Sequence, residues 1–490
     1  MGIVSCQFED RYASGGHTKS MTVAKERFLL APLAGKESPR IWLQSQDKSP
    51  STSPPQPAWL TMNLSEICIR EANKGRIVMG RIRLACMPWM IGLAALVVGS
   101  PCNAGEPSEP VEVSSRAMEI HRRSYVWDGH NDLPWAVREK TGRGFEEIDI
   151  SKTQPDLHTD IHRLRAGNVG AQFWSVYVPA DTIAQGNAFQ TTMEQIDLVH
   201  QMIAKYPDTF ELALNATDVK RIQAKGKIAS LIGMEGGHSI EDSLSKLRQL
   251  HQRGARYMTL THSDTLQWAD AATDTARSGG LSPFGEEVVR EMNRLGMLVD
   301  LSHVSPETME DALRISQAPV IFSHSSARAI ADHPRNVPDA ILKQLPANGG
   351  VVLINFFSGF VVPESARIMS QMFEVRRNLK EQFGKDEEGF TKAYRKWQAE
   401  HPYPQGEVAI VMDHIDHVVR TAGIDHVGLG SDFDGISRAP RGLEDVSCYP
   451  VLTELMLRRG YDEAAIHKVL SGNLMRVMER SDEVANNLSK

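Results

Sequence analysis

Short apolar runs alternate with amphipathic segments from about residue 125 to residue 430, and eight of these runs have the length and composition of buried strands. Strands that alternate with helix-length segments favour a parallel sheet, and eight such units favour closure of that sheet. The sequence therefore predicts an α/β fold, a TIM (β/α)8 barrel. The predicted strands are 125–127, 171–178, 228–234, 257–261, 297–301, 319–322, 350–355 and 426–430.

Residues that start and stop helices lie between these runs. Ser282 and Ser305 each precede a proline, which is typical of an N-cap before the first helical turn. Ser239 is interpreted in the same way, as the N-cap of a helix that ends at Gly254. The stretch from about 358 to 407 is longer than a simple connection and rich in Arg, Lys, Glu and Phe. It predicts a helical excursion over the barrel mouth.

Histidines and acidic residues directly follow several of the apolar runs. His130 and Asp132 lie two residues apart, so their side chains share one side of an extended segment. Glu235 follows a fully apolar run, where a buried carboxylate requires a partner, and His303 and His324 follow two consecutive runs. Each residue alone is readily explained as a hydrogen-bonded core histidine or an ion-paired acid. Together, at the strand ends where a barrel places its chemistry, they predict a metal-dependent hydrolase with two divalent ions, which Glu235 can bridge.

The charge balance and several missing motifs exclude other classes of function. A net charge of −7 and a pI near 6.2 give no basic surface for nucleic acid or anionic lipid. The sequence contains no HExxH helix, no CxxC pair, no GxSxG elbow and no Walker loop. Small-molecule substrates are therefore the expected partners, and nucleic acid is not.

Six short motifs carry a resemblance to a known family. Their order is similar to that of the membrane dipeptidase (renal dipeptidase) family of zinc peptidases, and the similarity extends from about residue 120 to residue 480. The resemblance implies a TIM barrel, two zinc ions per chain and hydrolysis of free dipeptides, with tolerance for a D-residue at the C-terminal position. In chain order, the motifs are DGHNDLP (128–134), EGGHS (235–239), LTHS (260–263), DLSH (300–303), FSHS (322–325) and GSDFDG (430–435).

The resemblance also implies a set of metal ligands. One zinc ion would be held by His130, Asp132 and Glu235. The other would be held by Glu235, His303 and His324. The two ions would then share Glu235.

Catalytic and substrate-binding roles follow from the same resemblance. His262 would bind the scissile carbonyl, Arg335 the substrate carboxylate, and Asp432 would shuttle the proton. Two zinc ions lower the pKa of a shared water towards about 7, so a metal-bridging hydroxide is the expected nucleophile. Glu235 and Asp432 are the predicted catalytic residues. Asp434 is the rival of Asp432, but the glycine after it is more typical of a turn.

The chain departs from the family in three respects. Its last residues, 484–490, are polar and charged where mammalian members carry a hydrophobic tail for a lipid anchor. Only Cys448 lies after residue 104, within the predicted dipeptidase domain, so no internal disulfide is expected. Phe357 stands where the family predicts a tyrosine near the substrate, which removes one expected hydrogen bond. Since dimerisation is common in the family, a homodimer is one expected assembly.

The beginning of the chain has a different composition. Residues 1–78 mix Ser, Pro, Lys and Gln without periodicity and are interpreted as disordered or as an over-extended N-terminus. Residues 79–104 combine two positive charges, an apolar run and small terminal residues, which is typical of a secretory signal peptide. A linker over 105–118 then leads into the dipeptidase domain, 119–490. We expect translation from Met79 and a periplasmic or secreted product without a stable membrane anchor; retention of the apolar run as an anchor is the alternative.

Two other functions stay open at this point. Another binuclear barrel hydrolase, such as a lactonase or phosphotriesterase, commonly uses a modified lysine as the bridging ligand. Glu235 and Arg335 instead favour a substrate with an α-carboxylate. A binding scaffold that has lost its chemistry is the second alternative, and the filled ligand positions and Asp432 argue against it.

Overall fold

Nine parallel strands form one sheet in the computed structural model, which describes residues 110–142 and 144–490. The predictions for residues 1–78 and 79–104 lie outside these described residues. The strands are β1 (Val126–Asn131), β2 (Val169–Tyr177), β3 (Phe210–Leu212), β4 (Ile228–Glu235), β5 (Ala255–Thr259), β6 (Leu298–Asp300), β7 (Ile321–Ser325), β8 (Val351–Ile354) and β9 (Val427–Leu429).

Eight of the strands close into a ring. Their order is β2-β1-β9-β8-β7-β6-β5-β4, and β2 pairs in parallel with β4 to complete the circle. The ninth strand, β3, pairs only with Ile228–Ser230 at the start of β4, whereas β5 pairs with β4 from Ile232 onward. The predicted TIM barrel is therefore confirmed. β3 has no counterpart among the eight predicted strands, because three residues are too few to display a strand pattern.

Helices surround the barrel and bury its outer face. They are α1 (Ser115–Arg123), α2 (Leu133–Thr141), α3 (Ile161–Ala166), α4 (Asp181–Gln185), α5 (Ala188–Lys205), α6 (Ala216–Gln223), α7 (Leu244–Gln252), α8 (Pro283–Leu295), α9 (Pro306–Ile315), α10 (Asp339–Leu342), α11 (Leu345–Asn348), α12 (Ser358–Val361), α13 (Pro363–Phe383), α14 (Glu387–Glu400), α15 (Val408–Ala422), α16 (Tyr449–Arg458), α17 (Glu463–His467) and α18 (Asn473–Leu488). Shorter 3-10 turns cover Gly144–Glu146, Gly237–Ile240, Ile424–His426 and Val446–Cys448, and a π-helical turn covers Lys468–Gly472. None of the described helices has the length and apolar composition that crossing a membrane requires.

Capping side chains set several of these helix boundaries. Ser282 and Ser305 cap α8 and α9 as predicted, each accepting a hydrogen bond from a backbone N–H in the first turn. The prediction for Ser239 is wrong, because that residue lies in a 3-10 turn and α7 is capped by Ser243. Between Ser239 and Ser243 the backbone passes through Glu241 and Asp242, and both residues have a positive φ. A continuous helix from Ser239 therefore cannot form.

Large aromatic rings fill the barrel interior below the strand ends. Phe173 of β2 contacts Tyr257 of β5 at 4.8 Å and Trp127 of β1 at 6.0 Å, between ring centroids. Gly233 pairs with Tyr257 across β4 and β5, and a Cβ on that glycine would lie 2.0 Å from the tyrosine ring. The glycine therefore makes room for Tyr257, whose hydroxyl reaches the site above.

The stretch 358–407 contains α12, α13 and α14. Phe360 of α12 and Phe373 of α13 reach the cavity at the carboxyl ends of the strands. Arg377 of α13 also donates a hydrogen bond to the backbone oxygen of Thr273. These helices thus form part of the rim of the barrel mouth.

Candidate active site

Glu235 is the centre of a cluster of buried polar side chains at the strand ends. It is the last residue of β4, and its carboxylate lies close to four imidazole Nε2 atoms. The distances are 3.1 Å to His303, 3.5 Å to His324, 3.5 Å to His130 and 3.6 Å to His262. Burial alone would raise the pKa of Glu235, but His130 and its neighbours outweigh that effect and hold the pKa well below the usual range.

Asp132 and Asp432 also belong to this cluster, because they approach the same Nε2 atom of His130 as Glu235 does. Nε2 of His130 lies 3.3 Å from Oδ2 of Asp132 and 4.0 Å from Oδ1 of Asp432. The close approach requires Gly435, because a Cβ there would lie 2.1 Å from Oδ2 of Asp132. The five residues predicted as metal ligands are therefore brought together, and Asp432 lies among them.

The donor groups of the cluster fit divalent metal ions. Three sets of side chains have ligand atoms within 4.8 Å of one another, and His262 and Asp432 belong to these sets in addition to the five predicted ligands. Nε2 of His130 is buried without a hydrogen-bond partner, although it faces two carboxylates. Nε2 of His303 lies 2.9 Å from Nε2 of His324. Imidazole nitrogens that converge on carboxylates in this way are the donor set that zinc prefers.

Hydroxyl groups hold the outer side of the cluster in place. The hydroxyl oxygen of Tyr257 lies 2.7 Å from Nδ1 of His130, and Oγ of Ser323 lies 2.8 Å from Nδ1 of His324. Ser175 donates a hydrogen bond of 3.1 Å to Glu235. Contacts of this kind fix the orientation of a metal-ligating ring. The sequence analysis did not identify these three residues, since nothing in a strand pattern distinguishes an orienting hydroxyl from a packed one.

Two of the site residues have an unusual backbone conformation. His303 has a φ of 69° and Asp432 a φ of 66°, a left-handed region that residues with a Cβ rarely adopt. Such strain concentrates at functional sites because the surrounding structure holds it in place. Asp432 is further fixed by Nδ2 of Asn355, which donates a hydrogen bond of 2.8 Å to it. Burial raises the pKa of Asp432 well above its ordinary value, against the opposing effect of nearby His130.

Arg335 lies beside the cluster as a buried cation. Its side chain is only 2% exposed, and it forms no ion pair with any carboxylate in the described part of the chain. Nη2 lies 3.3 Å from the backbone oxygen of His324, Nη1 lies 3.5 Å from Oγ of Ser325, and Nε has no partner. The guanidinium carbon lies 5.4 Å from the ring centroid of Phe360. Burial lowers the pKa of Arg335 to about 10, so the group stays charged at neutral pH.

The cluster forms the floor of a cavity of about 400 Å³. His262 lies on its wall, where burial lowers the pKa of the imidazole to about 4 despite the opposing effect of Glu235. Asp434 also borders the cavity, but its carboxylate accepts a hydrogen bond from the backbone of His158 within a turn. The apolar part of the wall consists of Trp135, Tyr177, Phe357, Phe360, Phe373 and Ile436. A cavity of this size, with charged and polar groups that converge on its floor, suits a small polar substrate.

Comparisons with known proteins agree with this geometry. The sequence model of the membrane dipeptidase family, peptidase family M19, matches residues 114–490. The barrel is similar to a probable dipeptidase, PvdM, from Pseudomonas aeruginosa, with 23% identity, a TM-score of 0.66 and coverage of 76% of this chain and 98% of that one. It is also similar to a metallopeptidase from Rhodobacter sphaeroides liganded with a phosphinate mimic of the dipeptide L-Ala-D-Ala, with 25% identity, a TM-score of 0.61 and coverage of 73% and 99%. A metallopeptidase described as dipeptidase AC has 26% identity, a TM-score of 0.60 and coverage of 73% and 98%.

Proposed function

The chain belongs to the membrane dipeptidase family and is a dipeptidase-type hydrolase. We propose that it cleaves the peptide bond of free dipeptides with two zinc ions bound at the strand ends. The observation that carries this proposal is the position of Arg335. A buried guanidinium without a carboxylate partner is costly, and an anionic substrate group beside it removes that cost. The α-carboxylate of a dipeptide is an anion of the right size for the cavity, and Arg geometry favours a two-point contact with it.

The metal ions would be held by the buried cluster. As the family resemblance implies, we assign His130, Asp132 and Glu235 to one zinc ion, and Glu235, His303 and His324 to the other. All five residues lie in the cluster, but the sets whose ligand atoms lie within 4.8 Å of one another group them differently, with His324 beside His130 and Glu235, and with Asp132 beside His130 and Asp432. Zinc bound there would supply the positive charge that polarises a carbonyl group and lowers the pKa of water, so that a hydroxide nucleophile would be accessible at neutral pH. Glu235 is the ligand that both ions share in this assignment.

The remaining site residues bind the substrate and move a proton. His262 is neutral at pH 7 and can donate a hydrogen bond to the scissile carbonyl oxygen, where negative charge develops. Asp432 can accept a proton and return it to the leaving amine, because one of its oxygens is fixed by Asn355 and the other faces His130. The aromatic side chains of Phe360 and Phe373 line the same cavity beside these groups.

Two further observations bear on the substrate class. Tolerance for a D-residue at the C-terminal position is supported by the relative that binds a mimic of L-Ala-D-Ala. A lactonase or phosphotriesterase function is less well supported, because the cavity lining includes no lysine that could serve as a modified bridging ligand. In the ligand assignment proposed above, Glu235 is the bridging ligand instead.

We also propose that the protein is exported. Support comes from residues 79–104, which have the charge, apolar core and small terminal residues of a signal peptide. Cleavage at the end of this segment would release the product into the periplasm or the medium.

Metal analysis combined with a substrate panel tests the proposed function. The purified enzyme should contain two zinc ions per chain and should hydrolyse L-Ala-L-Ala and L-Ala-D-Ala, while a lactone and a phosphotriester should remain intact. Prolonged dialysis against a chelator should abolish hydrolysis, and added zinc should restore it. Hydrolysis of the lactone or phosphotriester in preference to both dipeptides would overturn the proposal.

A further inference from the structure

One charged residue on the cavity wall has no role in the proposed mechanism. Glu139 of α2 borders the same cavity as Asp132 and Glu235, but lies at its exposed outer end. We infer that Glu139 forms a subsite for a cationic side chain, lysine or arginine, on the N-terminal residue of the substrate. This inference rests on the proposed dipeptidase function and adds a substrate preference to it.

Glu139 shares one face of α2 with two other residues that border the cavity. Asp132, Trp135 and Glu139 are spaced three and four residues apart, which places them on one face of the helix, and all three border the cavity. Seven residues of helix span about 10 Å along the axis. Helical side chains generally lean towards the N-terminal end of their helix, which for Glu139 is the end that carries Asp132.

The carboxylate of Glu139 has no partner among the described residues. Its neighbours are engaged elsewhere, since Arg138 forms an ion pair of 3.0 Å with Glu194 and Lys140 one of 3.1 Å with Asp156. Among residues 110–142 and 144–490, no hydrogen bond or ion pair engages the Glu139 carboxylate. A negative charge is therefore available at the mouth of the cavity.

The positions of Arg335 and α2 set the direction in which a bound dipeptide must lie. Arg335 follows β7, whereas α2 follows β1, and in the ring β8 and β9 separate these two strands. The two elements thus face each other across the barrel mouth, with the metal-binding cluster between them. A dipeptide whose terminal carboxylate contacts Arg335 and whose scissile bond lies at the cluster directs its N-terminal residue towards α2.

The wall between the cluster and Glu139 suits a long side chain with a charged end. Trp135 and Tyr177 pack edge to face at 5.0 Å between ring centroids, and both border the cavity. The stem of lysine is about 6 Å long when extended, and it can lie on these rings while its ammonium group stays near water. The α-amino group of a dipeptide is two bonds from the scissile carbonyl carbon, whereas Glu139 is about 10 Å of helix from Asp132, so the side chain is the part of the N-terminal residue that can span this gap.

A pair of near-isosteric dipeptides tests the inference. Lysyl-alanine and norleucyl-alanine differ mainly in the terminal charge of the first side chain. The native enzyme should prefer lysyl-alanine by about twofold to fivefold in kcat/KM, the upper part of the range for a solvated ion pair. Glu139→Gln should bring the ratio of the two kcat/KM values to about one, and Glu139→Lys should reverse it.

The matched control is Glu119→Gln, which removes an exposed glutamate on α1 that does not border the cavity. This variant should keep the native ratio. If the native enzyme hydrolyses both dipeptides equally well, the subsite is refuted while the dipeptidase function stands. If it hydrolyses neither, the proposed function fails as well.

Discussion

Asn355 donates a hydrogen bond of 2.8 Å from Nδ2 to Oδ2 of Asp432. Its amide oxygen accepts a hydrogen bond from the backbone N–H of Phe357, so the orientation of the amide is fixed from both ends. Oδ1 of Asp432 is thereby left to face His130. The same Nδ2 also donates a longer hydrogen bond of 3.4 Å to the backbone oxygen of His324, so Asn355 contacts the side chain of the proposed proton shuttle but only the backbone of a predicted metal ligand.

We expect Asn355→Ala to lower kcat by about tenfold or more, the equivalent of one hydrogen bond to a charged group. KM and zinc content should change little, because the substrate contacts and the metal ligands remain. Steady-state kinetics and metal analysis of the purified variant measure both. Asn348→Ala is the control, since that amide holds the backbone of Val320 at the opposite end of the barrel. A loss of zinc in Asn355→Ala would show that the residue supports the metal site instead.

Tyr257→Phe should weaken zinc binding by about tenfold to a hundredfold, because the hydroxyl orients the ring of His130. Competition with a chelator of known affinity measures the change. Tyr449→Phe is a matched control, because it also removes a buried hydroxyl, in this case one that contacts Asp128. Equal zinc affinity in the two variants would contradict the orienting role of Tyr257.

Much of the site could be predicted from sequence because one rule governs it. The carboxyl ends of parallel strands meet at one face of a barrel, so residues directly after apolar runs, such as Glu235 and His324, had to lie close together. Asn355 follows β8 in the same way, and the same rule applied to amides would have identified it. Tyr257 lies within β5 instead, and its contact with His130 depends on strand register and on Gly233, which no local pattern reveals.

Glu235→Gln and Asp432→Asn should have different effects. Glu235→Gln replaces the only carboxylate assigned to both ions, so zinc content should fall from two ions towards one or none and hydrolysis should cease. Asp432→Asn should retain both ions and lose kcat, since it removes a proton acceptor and leaves the assigned ligands intact. Two ions bound at a native rate in Glu235→Gln would refute the bridging assignment. Loss of zinc in Asp432→Asn would make Asp432 a ligand.

The proposed export is tested by expression from Met79. The product should appear in the periplasm with an N-terminus near Gly105, because small residues precede that position. Fractionation and N-terminal sequencing measure both properties. Replacing Arg81 and Arg83 with glutamate should block export and leave the precursor inside the cell. An intact, membrane-bound chain from the unaltered gene would show that the apolar run is an anchor.

Arg335 should determine how long a substrate the enzyme accepts. If its guanidinium contacts the terminal carboxylate, only one residue fits between the scissile bond and Arg335, so free dipeptides should be cleaved and tripeptides handled poorly. Arg335→Ala should reduce kcat/KM for Ala-Ala by a factor equivalent to a loss of roughly 1.5 to 3 kcal/mol of transition-state stabilisation, the range for a charged hydrogen bond. Arg335→Lys should raise KM. The C-terminal amide of Ala-Ala is the internal control, because it lacks the carboxylate and should be a poor substrate whether or not Arg335 is present. Equal kcat/KM for Ala-Ala and its amide in the native enzyme would mean that Arg335 does not bind the carboxylate.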